Sequence, residues 1–147
     1  MAYKLGINCK LYRNTNTYAS PTWVEVENVR DLTKSFERGE SDLTTRGYAA
    51  GGWEATVAVL LSGTVDFGMV YDSADVDFVA LEDAFYANTA VEFAMCDGAI
   101  TTTGTKGLRA TFSIMKFGEN QPLKEGVTVD VSMKVSYATN APSRFTI

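Results

Sequence analysis

Two groups of carboxylates are the residues of this chain whose types and spacing could do chemistry. Glu25 and Glu27 are two positions apart in a strand-like segment, so their side chains would share a face at about 6–7 Å, a separation that acid–base glycosidases use. Asp72, Asp75 and Asp77 could suggest calcium, but their spacing does not match an EF-hand loop. A solvated strand face and helix capping explain these acids more simply. We therefore expect no catalytic residue, no metal site and no cofactor.

The 147-residue sequence contains no histidine. Without histidine, the Ser-His-Asp and Cys-His nucleophiles and the common zinc sites cannot be built. The sequence also lacks the GxxxxGK[ST] phosphate loop and the GxGxxG dinucleotide fingerprint. Its net charge of −5 argues against a grip on nucleic acid, which needs clustered lysine and arginine to displace counterions. These observations predict a protein that is not an enzyme and does not bind DNA specifically.

The composition is that of one globular domain spanning residues 1–147. Hydrophobic residues make up 46% of the chain, and domains commonly run to about 100–150 residues. Cys9 and Cys96 show no motif spacing, and we expect both to be free, buried thiols of a protein made in a reducing cytoplasm. The start, MAYKLGINCK, lacks the apolar core of a secretory signal. No apolar run approaches the ~18 residues of a membrane helix, so we expect no membrane partner.

Alternation of apolar and polar residues with a period of two dominates the chain and is typical of half-buried strands. The alternating segments are 7–11, 23–29, 53–59, 65–71, 91–95, 108–114 and 127–137. One segment has the helical period instead: Ala74, Phe78, Leu81 and Phe85 recur at spacings of four, three and four. We predict one α-helix over about 73–87, capped by Asp72 or Ser73 and ending at Asn88. The fold class is an antiparallel β-sandwich or flattened barrel of about seven or eight strands.

Residues 37–52 read as a long loop, ERGESDLTTRGYAAGG, followed at once by Trp53 and a strand pattern. Structureless loops of about 15 residues or more are uncommon in compact domains and are usually functional or disordered. This loop lacks the composition of a flexible tail, because Leu43 and Tyr48 punctuate it. We therefore predict that a partner orders it.

The loop and its surroundings resemble the tail tube (major tail) protein family of tailed bacteriophages. The resemblance covers roughly residues 4–137. In order along the chain, it rests on NVRD (28–31), RGESDLTTRG (38–47), GW (52–53), DFGMVYD (66–72), GLR (107–109) through KF (116–117), Leu123 and VTVD (127–130). It implies a β-sandwich or barrel with a flanking helix, six copies in a ring, and rings stacked into a tube that conducts DNA. It further implies a place in the virion tail after synthesis in the bacterial cytoplasm, with a tape measure, a terminator and a baseplate or tip as other partners.

Two sets of site residues follow from this resemblance. The loop becomes an arm to a neighbouring subunit, with Trp53 as its anchor on the sheet. Its inter-subunit residues are Arg38, Glu40, Asp42, Leu43, Arg46, Tyr48 and Trp53. The polar face of the last long strand is the candidate lining of the channel, where a neutral or acidic surface lets DNA slide. These lumen candidates are Thr128, Asp130, Ser132, Lys134 and Ser136.

Three other functions remain as alternatives. The tube of a contractile injection or type VI-like secretion system shares the architecture but passes proteins. A carbohydrate-binding β-sandwich could use Trp23 or Trp53, since aromatic side chains serve such contacts. An acid–base glycosidase would have only Glu25 and Glu27 as its catalytic candidates.

Overall fold

The computed structural model describes residues 3–47 and 51–147. Within these residues there are eight strands, one α-helix and a short 3-10 helix at Gly6–Asn8. The strands are β1 Lys10–Asn14, β2 Trp23–Glu25, β3 Val29–Asp42, β4 Thr56–Val70, β5 Val91–Cys96, β6 Lys106–Asn120, β7 Thr128–Val135 and β8 Ser143–Thr146; α1 spans Val76–Ala87 between β4 and β5. The predicted mainly antiparallel β-fold with one helix is confirmed. In the described part of the chain, no helix has the length and apolar character needed to cross a membrane.

The strands form one curled antiparallel sheet in the order β2-β1-β5-β6-β7-β4-β3, with β8 beside the first half of β6. The two edge strands, β2 and β3, are joined by residues 26–28 alone, so their ends must lie close together. Backbone hydrogen bonds hold this link to β1 and to β4: Val26 N donates to Leu11 O at 2.8 Å, and Val70 N donates to Asn28 O at 3.2 Å. The sheet thus approaches a flattened barrel, although β2 and β3 share no ladder within the described residues.

The core lies on the concave face of this sheet, and period-two alternation selects its side chains. In β7, Val129, Val131 and Met133 are buried while Asp130 and Lys134 are exposed, as the sequence pattern predicts. In the neighbouring strands, the residues paired across the sheet with these buried residues also point toward the core. The other fully buried large side chains are Val65, Met69, Phe78, Leu81, Phe93 and Phe112.

The helix begins three residues later than the pattern predicts. Asp75 is its N-cap, with an extended backbone (φ −77°, ψ 121°) and a carboxylate that accepts from Asp77 N at 3.2 Å. Asp72 instead closes the preceding turn, where its carboxylate accepts from Ala74 N at 2.9 Å. Ala74 therefore lies outside the helix, because the residues before Asp75 form the turn that leads into the helix cap. The predicted end is confirmed: Asn88 adopts the left-handed conformation (φ 55°) that terminates helices.

The helix closes one end of the curled sheet. Phe78 and Phe85 both contact Phe117 near the end of β6, with ring centroids 5.6 and 6.1 Å apart. Tyr71, just after β4, meets Phe78 edge-on at 5.1 Å. Such aromatic contacts favour a fixed geometry beyond the area they bury. The helix is thereby held at the end where β6 finishes.

A charge pair joins the start of the helix to β1. Arg13 Nε and Nη2 donate to Oδ1 of Asp77 at 3.0 and 2.9 Å, and both side chains are largely buried. A buried pair contributes little net stability by itself, because both charges lose hydration. Removing one partner is costly, because the other charge then stays buried without compensation.

The expectation that both cysteines are buried is wrong for Cys9. Cys96 is buried, but Cys9 is exposed, and both are free thiols. The reason is that β1 begins at Lys10, paired with Cys96 at the end of β5, so no strand of the described chain covers residue 9. Burial and then the charge of Asp97 raise the pKa of the Cys96 thiol to about 11. Cys9 is therefore the accessible thiol of the folded subunit.

We expect Asp77→Ala to lower the free energy of unfolding by about 3 kcal/mol, because Arg13 would stay buried without its counter-charge. Asp83→Ala, which removes an exposed acid from the same helix, is the matched control and should change stability by less than about 0.5 kcal/mol. Urea unfolding followed by circular dichroism measures both. Equal losses in the two variants would show that the pair does not hold the helix.

Candidate assembly interface

The structure corrects the predicted loop over 37–52. Residues up to Asp42 belong to β3, and β4 begins only at Thr56. The two strands pair from Phe36 opposite Gly63 to Asp42 opposite Thr56, whereas β4 pairs with β7 only over Thr64–Val70. Residues 36–42 and 56–63 therefore form a two-stranded hairpin that extends beyond β7. We call this hairpin, with the tip that joins its strands, the arm.

β4 continues to carry apolar side chains along the arm after the core has ended. Val65, Phe67 and Met69 face the core and are 0–4% exposed. Leu61 in the arm continues this face and is 64% exposed. The register then shifts between Arg38 and Glu40, so Val57, opposite Ser41, lies on the other face and is 47% exposed. Val59 and Leu60, at the shift, are exposed as well. The arm thus presents apolar side chains that its own domain does not cover.

A glycine and an aromatic ring set the root of the arm. A Cβ added at Gly63 would lie 2.3 Å from both Cδ1 and Cε1 of Phe36, so the ring occupies the space that any other residue would need. The same point lies 3.3 Å from Cγ2 of Val135, the last residue of β7. Further out, the register shifts between Arg38 and Glu40, and such irregularities bend and twist a strand. The direction in which the arm leaves the sheet is therefore defined by packing.

Hydrogen bonds close the base of the tip. Asp42 Oδ1 accepts from Thr44 N at 2.9 Å, and the Thr44 hydroxyl accepts from Ala55 N at 2.7 Å. Leu43 N donates to Ala55 O at 2.8 Å. Hydrogen bonds from the side chain and then the backbone of Thr44 lower the pKa of Asp42. The arm is therefore ordered on both sides of its tip.

The predicted inter-subunit residues have different positions in this arm. Arg38 donates from Nη1 to Val59 O at 3.1 Å, within the arm. Among the described residues, Arg38, Glu40, Asp42 and Arg46 form no ion pair, and Leu43 is exposed. Tyr48 lies outside the described residues.

Trp53 does not anchor the arm to its own sheet, so that prediction is wrong. It precedes β4 by three residues and is 78% exposed, because the sheet body starts only at the level of Thr64. Sequence reasoning also missed the exposure of Val57, Val59, Leu60 and Leu61. The run VAVLL over 57–61 is apolar on both faces of a strand, whereas a half-buried strand alternates apolar and polar residues. This difference is the sequence signal that could have found the exposed segment.

The lumen candidates on β7 lie on one continuous polar face with residues of three other strands. Asp66 of β4, Ser132 of β7 and Lys116 of β6 are cross-strand partners. One step further, Gly68 and Gly118 flank Asp130. The face also carries Thr33 of β3, Thr128 and Lys134. Ser136 lies just past β7, where its Oγ hydrogen-bonds Ser113 Oγ at 2.8 Å.

This polar face carries slightly more negative than positive charge. A shallow depression on it is lined by Asp31, Asp66, Asp130 and Lys116, and Lys134 adds a second cation. None of these charges forms an ion pair with another described residue. The face is thus polar, hydrated and weakly acidic.

The carboxylates considered for catalysis have structural partners. Glu25 Oε1 accepts from Lys10 Nζ at 2.8 Å, and this hydrogen bond and charge raise the pKa of Lys10. Glu27 is exposed beyond the end of β2. Within the described ranges, no three His, Cys, Asp or Glu side chains cluster as metal ligands.

Trp23 has a packing role on the convex face. Its ring centroid lies 5.1 Å from the guanidinium carbon of Arg109, which also stacks 3.8 Å over the Tyr18 ring. Arg109 Nη2 donates to Glu92 Oε1 at 2.7 Å. Cation–π contacts of this kind are favourable when partly desolvated. Trp23 therefore helps to hold the β1–β2 hairpin on the sheet.

Comparison with known proteins identifies the fold. No protein-family model and no curated protein sequence matches the chain. A chain from the tail of an empty gene transfer agent particle, determined by helical refinement with C6 symmetry, matches 99% of this chain and 100% of its own, with 20% identity and a TM-score of 0.74. A chain from the virion of the native gene transfer agent covers 98% and 100%, with 17% identity and a TM-score of 0.73.

A third match is a chain of the SPP1 tail tube, determined by solid-state NMR and cryo-electron microscopy. It covers 99% of this chain and 80% of that one, with 12% identity and a TM-score of 0.73. At these identities the likeness is one of fold. The chain therefore has the fold of these three matched chains, as the resemblance in the sequence implies.

We expect amide hydrogen exchange to divide β4 into two parts in the dilute, unassembled subunit. Amides of 56–62 should exchange faster than those of 64–70, because a two-stranded ribbon is marginally stable in water and the body strands are buried. Exchange measured by mass spectrometry tests this, with 64–70 as the internal control. Equal protection along β4 would mean that the arm is stable without a partner.

Proposed function

We propose that this protein is a structural subunit of a phage-type tail tube. Copies join through their arms into rings, six to a ring, and the rings stack into a tube in the virion tail through which DNA passes. The fold shared with chains of a gene transfer agent tail, a gene transfer agent virion and the SPP1 tail tube, the first determined with C6 symmetry, supports the proposal. The observation that carries it is the apolar segment 57–61 of β4, which continues the strand from the core into the arm and is exposed there.

The arm needs a second copy for energetic reasons. Covering the exposed parts of Val57, Val59 and Leu61 would contribute about 1 kcal/mol per side chain. A contact of this size gives only weak binding between two copies. In a polymer every copy makes the same contact, so the contributions to the binding free energy add up. The unpaired charges of Arg38, Glu40, Asp42 and Arg46 would then select the register between neighbours.

Free strand edges give a second reason for assembly. β3 is 14 residues long and, within the described chain, pairs on one side only. Residues 56–63 of β4 likewise pair only with β3. Exposed edges of this length invite pairing with another chain. A ring in which each arm lies against the next copy satisfies both edges, because a closed barrel has none.

The polar face supplies the channel. In a ring closed through the arms, the faces carrying Asp66, Asp130 and Ser132 from each copy line a common lumen. A weakly acidic, hydrated lining does not release counterions from the DNA phosphates, so it does not bind the DNA. DNA can then slide through without specific binding.

We expect Val57→Thr, Val59→Thr and Leu61→Thr combined to give a folded monomer that forms no tubes. Threonine keeps the preference of valine for strands but removes apolar surface from the arm. Negative-stain microscopy and sedimentation of the concentrated protein measure assembly. Val24→Thr, which changes an exposed valine on β2, is the matched control and should still form tubes.

Two outcomes would count against the proposal. Normal tubes from the triple variant would show that the apolar side chains of the arm do not form the contact. A wild-type protein that stays monomeric at high concentration and binds a glycan would favour the carbohydrate-binding alternative.

We expect the double variant Asp66→Lys and Asp130→Lys to form tubes whose lumen binds DNA. Each reversal adds two positive charges, which makes the polar face clearly basic in every subunit and allows counterion release. Short duplex DNA should bind to tubes of this variant at low salt and resist nuclease, because it lies inside.

Glu82→Lys with Asp83→Lys is the control, since it makes the same change of charge on the helix. Any DNA held by those tubes should stay nuclease-sensitive. If DNA on the Asp66 and Asp130 variant is digested as readily, this face does not line the channel.

A further inference from the structure

The end of the curled sheet opposite the helix is open and forms a groove of about 990 Å³. It lies where β1 and β6 begin and β5 ends, between those strands and the first residues of β3. Apolar side chains contribute to its lining: Leu11, Val26, Leu32, Met95 and Leu108. The helix covers the equivalent position at the other end, so the two ends of the subunit are unlike.

The rim of the groove carries cations that have no ion pair. Arg30, Lys34, Lys106 and Arg144 are exposed, and the charged group of none of them forms an ion pair with a carboxylate of the described residues. The acidic residues Glu27, Asp31 and Asp97 also line it, and Lys10 is paired with Glu25. The groove therefore has a slight excess of positive charge around an apolar floor.

The turn between β6 and β7 carries an exposed apolar side chain at the far end of the subunit. Leu123 is 98% exposed, and the nearby charges are Glu119, Lys124 and Glu125, an excess of one negative charge. β6 has 15 residues, so its first residue, at the groove, is about 45 Å from its last, beside the turn, at the usual rise of a strand.

We propose that the β6–β7 turn of one copy seats in the groove of the next copy, with Leu123 on the apolar floor. This inference rests on the proposed function and specifies the contact between successive rings. A knob at one end and a groove at the other make a heterologous, head-to-tail contact, which repeats without closing. The negative turn and the positive rim have complementary charge, which orients the encounter.

The position of the arm favours this occupant over the arm of the next ring. From its root at Gly63, the arm runs toward the end of the subunit where β6 begins, which is also the end with the groove. In a head-to-tail stack, the groove of one ring therefore faces the opposite end of the next ring. The β6–β7 turn, with Leu123, lies at that end.

The chain offers a cross-linking test with a thiol already in place. Cys9 is exposed and lines the groove, so Leu123→Cys would put a second accessible thiol on the proposed knob. A short bis-maleimide, which adds one thiol across each of its two double bonds, should link the introduced thiol of one copy to Cys9 of the next. Assembled tubes of this variant should give a ladder of covalent oligomers on a denaturing gel.

Three controls isolate the contact. Wild-type tubes, and tubes of Leu123→Cys combined with Cys9→Ser, should give no ladder. Tyr86→Cys, which puts a thiol at another exposed site, should give none with Cys9 present. Cys96 should contribute little, because it is buried.

A second variant tests the same contact without a cross-linking reagent. Leu123→Ser should fold normally by circular dichroism but need a roughly tenfold higher protein concentration to form tubes, because the knob loses its apolar surface. Tyr86→Ser should polymerise at the wild-type concentration.

Failure of this inference is distinguishable from failure of the proposed function. If wild-type tubes form, but Leu123→Cys gives no ladder and Leu123→Ser polymerises normally, the groove is not the stacking contact although the tube remains. If the wild-type protein forms no rings or tubes at any concentration, both proposals are wrong.

Discussion

β4 carries apolar side chains over a greater length than the domain can cover. Val65, Phe67 and Met69 complete the core, whereas Val57 and Leu61, further along the same strand, remain exposed. The folded subunit therefore still has apolar surface to bury. This unfinished burial ties the stability of the fold to assembly, because the same strand serves both.

The rest of the structure sets where this apolar part of β4 leaves the body. β7 stops at Val135, so β4 loses one neighbour at Thr64. The Phe36 ring fills the space beside Gly63, which holds the hairpin at this point. At the other end, the contacts of the helix with Phe117 close the sheet. A rigid body with an arm on one side and unlike ends is suited to rings that stack in one direction.

Some elements could be predicted from the sequence because their signals are local. The alternation of β7 and the stop at Asn88 depend on side-chain period and backbone preference, and the structure has both. The start of the helix was harder, since Asp72, Ser73 and Asp75 are all acceptable caps. Residues 37–42 could not be recognised as strand, because they carry no apolar alternation and are held by pairing with residues 56–62.

The sequence by itself determined the mainly β class, the helix that ends at Asn88, the polar face of β7 and the absence of histidine-based chemistry. Only the tertiary structure decided that the supposed loop is a hairpin arm, that Trp53 and Cys9 are exposed, and that the groove and Leu123 lie at opposite ends. The physical reason is that residue type and period are local, whereas exposure depends on which strand ends first. The run VAVLL becomes a surface only because β7 ends at Val135.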